Sequence, residues 1–308
     1  MPEGTTHYST LLGNVSAKYR NMSYVADQVF PVINVIKESN NILVYGYENI
    51  RREQTLRSDG SPAPTATHSY SNTTYNLQTH ALRDSVTQNQ RDNADPPIQL
   101  DVDVTENLTD KMLLEREART RDVVFTTTTW AGNTTLVSTT SWRFNTTTSG
   151  DPNVHVWSAA AAIVRGSGTT PNKALIGYGT LALLAHNSFI LDRIRQVMKG
   201  VASADVLASL WNLDTVMIGH ATENTGLEGV ANSNTMVWTD KCWVGYATPN
   251  PGLRQATAGY LFQKGGSAAR VKKWRDEAID GDWTEVQMAY DPQAVATSSA
   301  YLIAATDL

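Results

Sequence analysis

The residues able to do chemistry are scattered along this chain. Six histidines (His7, His68, His80, His155, His186 and His220) never fall into H-E-x-x-H or another metal-ligand spacing. The one cysteine, Cys242, sits between Lys241 and Trp243 in a strand-prone run, where a thiol reads as a small buried hydrophobe. Gly166-Ser-Gly-Thr-Thr and Lys264-Gly-Gly-Ser are glycine-rich, but neither ends in GK[ST] at phosphate-loop spacing, and G-x-G-x-x-G is absent. No G-x-S-x-G elbow occurs. The carboxylate pairs Asp276/Glu277 and Asp280/Asp282 lie in polar surroundings that require no shifted pKa. Lys272-Lys273-Trp274-Arg275 could touch phosphate, but a short basic run is first of all a solvated face. These residues spell out no catalytic constellation and imply no cofactor or metal. A hydrolase with a dispersed active site is the weakest reading.

The totals narrow the remaining classes. A chain of 308 residues can bury a sizeable core in one elaborate domain or two smaller ones. With 18% charged residues and a net charge of -5, it resembles neither a nucleic-acid-binding tail nor a disordered polyanion. One cysteine excludes an intrachain disulfide framework and fits a reducing compartment. No apolar run reaches 18 residues, and the polar start MPEGTTHYSTLLGN does not read as a signal peptide, so a soluble chain made in the cytosol is expected. Six Asn-x-Ser/Thr triplets then reflect a Thr- and Asn-rich composition, not glycosylation.

The element that must organise the rest is the stretch Asp101–Phe125, free of Gly and Pro. Asp103 and Glu106 have the spacing of a helix start, acidic residues crowd that end, and Arg116, Arg119 and Arg121 gather at the other, in accord with the helix dipole. Glu115/Arg119 and Glu117/Arg121 are spaced for exposed i,i+4 pairs. About 22 residues make a rod of roughly 33 Å with one apolar stripe, which must lie on a sheet or on a neighbouring chain. Before it, a short apolar stretch broken by Pro31 leads to the strand-like ILVYGY and a polar block tipped by Gly60, Pro62 and Pro64. That block cannot form a core, so a long projecting hairpin is expected, with strands of about 18 residues. After the rod, a Thr-rich, strand-prone segment is anchored by Trp130 and Trp142, and VHVWSAAAAIVRG is a helix with Gly166 as its stop. A strand at 173–178, three short helices, strands at 214–219 and 235–247, and a strand from Ala258 follow. WTEVQMAY alternates with Val286, Met288 and Tyr290 on one face; a turn at Asp291-Pro292 and the strand SAYLIAA close the chain. Helices and strands mix without strict βαβ alternation, so the class is α+β.

The order of these parts resembles a known family. ADQVFPVINVIKESNNILVYGYENIRRE is followed by the polar hairpin, LLEREARTRD, SGDPNVHVWSAAAAIV, PNKALIGYGTLALLAHNSFILDRIR, VMIGHATENTG and NTMVWTDKCWVGYA. From about Tyr24 to Leu308 this is similar to the major capsid proteins of tailed double-stranded-DNA bacteriophages, the Hong Kong 97 type shell fold. The resemblance implies an N-terminal arm over 1–44, an extended loop over 45–88, a peripheral domain with a spine helix over 89–150, an axial domain over 151–255, and returning strands over 256–308. It implies a non-enzymatic shell protein of the virion, built in the host bacterial cytoplasm into pentamers and hexamers. Its partners would be other copies of itself, a separate scaffolding protein, a portal, and packaged DNA held without sequence-specific contact; no membrane is involved. Arg51, Arg52 and Arg57 on the loop, with Glu115, Arg116 and Arg119 on the spine helix, become candidates for intersubunit pairing. Some family members cross-link through an extended-loop lysine, but no Lys occurs between Lys37 and Lys111, so non-covalent cohesion is expected. An encapsulin-like compartment enclosing enzymes resembles the same fold and is the alternative.

Overall fold

Two five-stranded sheets form the body, one built on strands that alternate apolar and polar residues and one on strands apolar on both faces, and helices close them. The computed structural model describes residues 21, 23–45, 47–66, 69–94, 99–137, 140–143, 150–195, 202–227, 229–252, 255, 257–265, 269–304 and 306. In chain order the elements are α1 (Ala26–Val29), β1 (Val32–Val35), β2 (Ser39–Tyr45), β3 (Tyr70–Asn76), β4 (Gln78–Thr87), α2 (Gln88–Asp92), α3 (Leu100–Val124), β5 (Gly132–Thr135), α4 (Pro152–Ser167), β6 (Lys173–Gly177), α5 (Tyr178–His186), α6 (Ser188–Arg195), α7 (Ala204–Trp211), β7 (Thr215–Gly219), β8 (Thr222–Asn224), β9 (Asn234–Met236), β10 (Lys241–Gly245), β11 (Gly259–Lys264), β12 (Arg270–Asp276), β13 (Gly281–Ala294) and β14 (Ala300–Ala304). Of the arm expected over 1–44, residues 1–20 and 22 lie outside the described residues, and the rest holds α1, β1 and the start of β2.

The first sheet runs β1-β11-β13-β12, with β4 on the other side of β13. Val286, Met288 and Tyr290 of β13 are buried on one face, as their alternation requires, and α3 lies against that face with Leu108 and Met112. The second sheet runs β5-β14-β10-β6-β7 and is covered on both faces. Leu175, Met217, Trp243 and Leu302 point into the core shared with α3, while Ala174, Ile176, Val216, Cys242, Val244 and Ile303 point into a second core under α4 to α7. Each of these strands therefore feeds two cores with alternate residues. Burying one such Leu, Ile or Met contributes about 1.5–3 kcal/mol.

Several local expectations are corrected by the structure. Helix α3 begins at Leu100, so Asp103 lies inside its first turn and caps nothing; Gln99 is the N-cap and makes no side-chain cap bond. Helix α4 passes Gly166 and stops at Gly168, whose φ of 71° is the left-handed C-terminal conformation. Asp151 caps its start by accepting from the Asn153 backbone N–H at 2.8 Å. Among its described residues the Thr-rich segment after α3 yields one strand, the four-residue β5, and Trp130 and Trp142 are buried anchors. The strand expected at 235–247 is two strands, β9 and β10, separated around the buried Trp238. No turn forms at Asp291-Pro292, because β13 continues to Ala294. Leu261, opposite Pro292, donates its N–H to Pro31 O on the β1 side. Pro292's missing donor therefore faces the side that β4 has left after Tyr290, where no ladder bond is lost.

Candidate assembly surface

The hairpin is shorter in its ladder than expected. β2 and β3 pair over seven residues each, from Ser39 opposite Asn76 to Tyr45 opposite Tyr70. Beyond them residues 51–60 and 62–66 are exposed. The turn at the tip is local: Arg57 Nε donates to Ser61 O at 2.6 Å, and Gly60 takes a φ of 77° that favours glycine. Among the described residues no carboxylate pairs with Arg51, Arg52 or Arg57. Apolar side chains flank the same region without cover, with Ile36 at 95% and Leu56 at 81% exposure. The base is firmly held. Tyr75 stacks on Phe262 with ring centroids 4.6 Å apart, the Asn76 N–H donates to Asp291 Oδ2 at 2.8 Å, and Lys264 pairs with Glu38.

On the spine helix α3, Glu115 and Arg119 form the expected i,i+4 pair at 2.7 Å and both remain accessible. Arg116 does not share their setting. It is 5% exposed, and its Nη2 is 2.7 Å from Asp27 of the same chain, so it is engaged internally and offers no free cation to a neighbour. Glu117 departs furthest from expectation. It forms no surface pair with Arg121, which binds Asp122 and Glu223 instead.

Glu117 is buried at a three-way junction that the sequence does not announce. Its Oε1 accepts from the Val25 N–H at 2.9 Å and from Trp238 Nε1 at 2.6 Å, and its Oε2 accepts from the Ala26 N–H at 2.9 Å. One carboxylate thus ties the spine helix to the strap that precedes β1 and to the loop that precedes β10. Burial pushes the carboxyl above the ordinary range, opposed by the three donors and by Arg116. Around it, Trp238 packs edge-on to Phe125, and a Cβ at Gly219 would lie 2.3 Å from the Trp238 ring, so this position needs glycine. The strap is fixed further by Asn21 bonding the Thr222 backbone at 3.0 and 3.1 Å, and by Lys173 Nζ donating to Gln28 O at 2.6 Å.

Among the described residues no three His, Cys, Asp or Glu side chains converge on a metal site, and no helix is long and apolar enough to cross a membrane. Burial pushes the Cys242 thiol far up, away from its reactive form. The basic run on β12 is largely neutralised within the chain: Lys272 lies 3.8 Å from Glu285, Lys273 3.9 Å from Asp101, and Arg275 2.6 Å from Asp280.

Solved structures share this architecture over nearly the whole chain. A phage-related protein from Bordetella bronchiseptica RB50 superposes with a TM-score of 0.74 at 22% identity, covering 94% of both chains. The capsid of cyanophage P-SCSP1u superposes with a TM-score of 0.69 at 10% identity, covering 98% of this chain and 95% of its own. The chain has the Hong Kong 97 type capsid fold. A virus-like particle from Pyrococcus furiosus carries the same fold more distantly, with a TM-score of 0.51 at 11% identity and 90% coverage of both chains. In sequence, the capsid fold here is 22% identical over 302 residues to the major capsid protein of Burkholderia phage BcepMu, covering 95% of this chain and 94% of that one. It is 26% identical over 229 residues to the major capsid protein of Pseudomonas phage JBD67, covering 73% and 72%. No family model matches.

Proposed function

We propose that this chain is the major capsid protein of a tailed bacteriophage, which assembles with copies of itself into the icosahedral head enclosing double-stranded DNA. The observation that carries the reading is the end-to-end match of sequence and fold to phage major capsid proteins, 95% of the chain in one case. The exposed hairpin supports it, since a projecting strand pair flanked by uncovered Ile36, Leu43 and Leu56, with three arginines that meet no carboxylate among the described residues, is a surface made for a neighbour. Arg51, Arg52 and Arg57 are the proposed intersubunit cations, with the accessible Glu115 and Arg119 as spine-helix contacts; Arg116 acts within the subunit.

In this reading residues 1–44 are the arm, 45–88 the extended loop, 89–150 the peripheral domain, 151–255 the axial domain and 256–308 the returning strands. The role is structural and not enzymatic, and it is exercised in the virion after assembly in the host bacterial cytoplasm. A separate scaffolding protein and a portal act during assembly. DNA is enclosed without sequence-specific contact, consistent with a basic strand whose charges are met by carboxylates in the same chain. An encapsulin-like compartment is less well supported, because both named sequence relatives are phage capsid proteins. The test is to co-express the chain with its phage's assembly factors, size the product by light scattering and image it. Closed shells are expected; a homogeneous monomer or dimer overturns the reading, and shells filled with enzyme select the alternative.

A further inference from the structure

Beneath the spine helix, the return strand of the extended loop carries a titratable ring. His80 on β4 stands opposite Met288 on β13, on the face that α3 covers, and its ring lies 4.7 Å from that of Tyr290. Tyr290 is 2% exposed, and its hydroxyl has no hydrogen-bond partner among the described residues. The charged groups of α3 over this spot are Glu115 and Arg119, paired to each other, and Arg116, paired to Asp27. On β4 itself, Arg83 lies on the opposite face over Trp283, and Asp84 shares the face of His80 four residues along. The ring therefore stacks on a buried phenol on the face that α3 covers, where the cation Arg119 already has its carboxylate.

We propose that His80 is an acid-sensitive joint between the inner strand of the loop and the spine helix. Neutral, the ring stacks on Tyr290. Protonated, it must be solvated where the surface is half closed, and it meets Arg119 with like charge. Burial, and then Arg119, hold its pKa below the ordinary value of 6.5, while Glu115 opposes them. A folded pKa lowered in this way means that the docked strand is stable above 6.5 and loses that contribution as pH falls through the folded value. The loop would then loosen from the body in mild acid, a regulation that gains its purpose from the shell reading above.

The joint can be read in the unassembled full-length chain by hydrogen exchange of the β4 amides, corrected for intrinsic rates, between pH 7.5 and 4.5. Wild-type protection is expected to drop several-fold with a midpoint below 6.5. His80→Phe keeps a ring on Tyr290 and should hold protection at every pH; His80→Gln should give a weaker but flat profile. A flat wild-type profile, a midpoint at or above 6.5, or a wild-type-like acid loss in His80→Phe overturns the joint. If neither variant accumulates, the wild-type midpoint decides alone. Because the readout does not need shells, its failure leaves the capsid reading standing, and a failure of assembly leaves the joint standing.

Discussion

Replacing Glu117 by alanine should be among the costliest single changes on the spine helix. The substitution strands three buried donors at once, the Val25 and Ala26 N–H groups and Trp238 Nε1, now held at 2.9, 2.9 and 2.6 Å. A buried donor without an acceptor costs roughly 1–3 kcal/mol. Water can reach part of the strap, since Asp27 beside it is half exposed, so the expected loss is about 3–5 kcal/mol. Set against a total stability of about 5–15 kcal/mol for a folded domain, that is a large share. Glu117→Gln keeps one acceptor oxygen but turns an NH2 toward the donors, and about 2–3 kcal/mol is expected. Urea unfolding of the unassembled chain measures both, and exchange at Val25 and Ala26 localises the damage. The pH dependence supplies a second check. The carboxyl is raised above 4.5 in the fold, so the native state keeps a proton that the unfolded chain has released. Stability therefore falls as pH rises from about 4.5 through the folded value, and Glu117→Gln removes that slope. A Glu117→Ala chain with the wild-type midpoint and protected Val25 and Ala26 amides would refute the junction.

Two further outcomes are expected. Replacing Asp59–Pro64 by a short Gly-Ser turn should leave the melting temperature of the chain nearly unchanged and abolish or weaken shells, because all six residues are largely outside any core; normal assembly, or a chain that no longer folds, argues against the hairpin as an intersubunit arm. Mature particles boiled in denaturant and reductant should run as one band near 33.7 kDa, and a surviving ladder of multimers would reveal a cross-link formed by lysines outside the loop.

The parts of this fold that follow local rules were legible in the sequence. The two-residue period of β13, the apolar run of α4 and the Gly/Pro-free rod of α3 each repeat a signal over enough residues to be read alone. Arg116 and Glu117 were not legible, because on a charged helix they carry the spacing of a solvated face. What buries them comes from elsewhere: the backbone of the strap lies 91 and 92 positions upstream of Glu117, and Trp238 lies 121 positions downstream. The stripe of α3 thus starts apolar at Leu108 and Met112 and continues polar through Arg116, Glu117 and Thr120, all of them buried. Pattern reading sees only the first half. The hairpin was legible as a thing without a core, but its ladder length was not, since a Thr- and Ser-rich strand reads the same whether or not it is paired. Pro292 misled for a related reason: its cost depends on which side of the strand still has a neighbour.

The two unannounced features act on one mechanical element. The hairpin enters from the strap through α1 and β1, and it returns to the body through β4. On the entry side the chain is held by Glu117, by Arg116 with Asp27, and by the parallel pairing of β1 with β11. On the exit side it is held by ten paired residues between β4 and β13 and by the ring of His80 under α3. Both anchors bear on the same helix within two turns, at Arg116–Glu117 and at Glu115–Arg119. The direction in which the hairpin projects is thereby set by α3 and not by the hairpin's own short ladder, whose two isolated strands would be marginal in water. In the shell proposed above, stiffness at the base would carry the geometry of a contact between identical subunits, while exposed ion pairs at the tip, each below about 1 kcal/mol, would be made and remade until the shell closes. On that proposal folding energy and assembly energy would be supplied by different residues, with the boundary between them running along α3, between the accessible Glu115 and Arg119 and the buried Arg116 and Glu117.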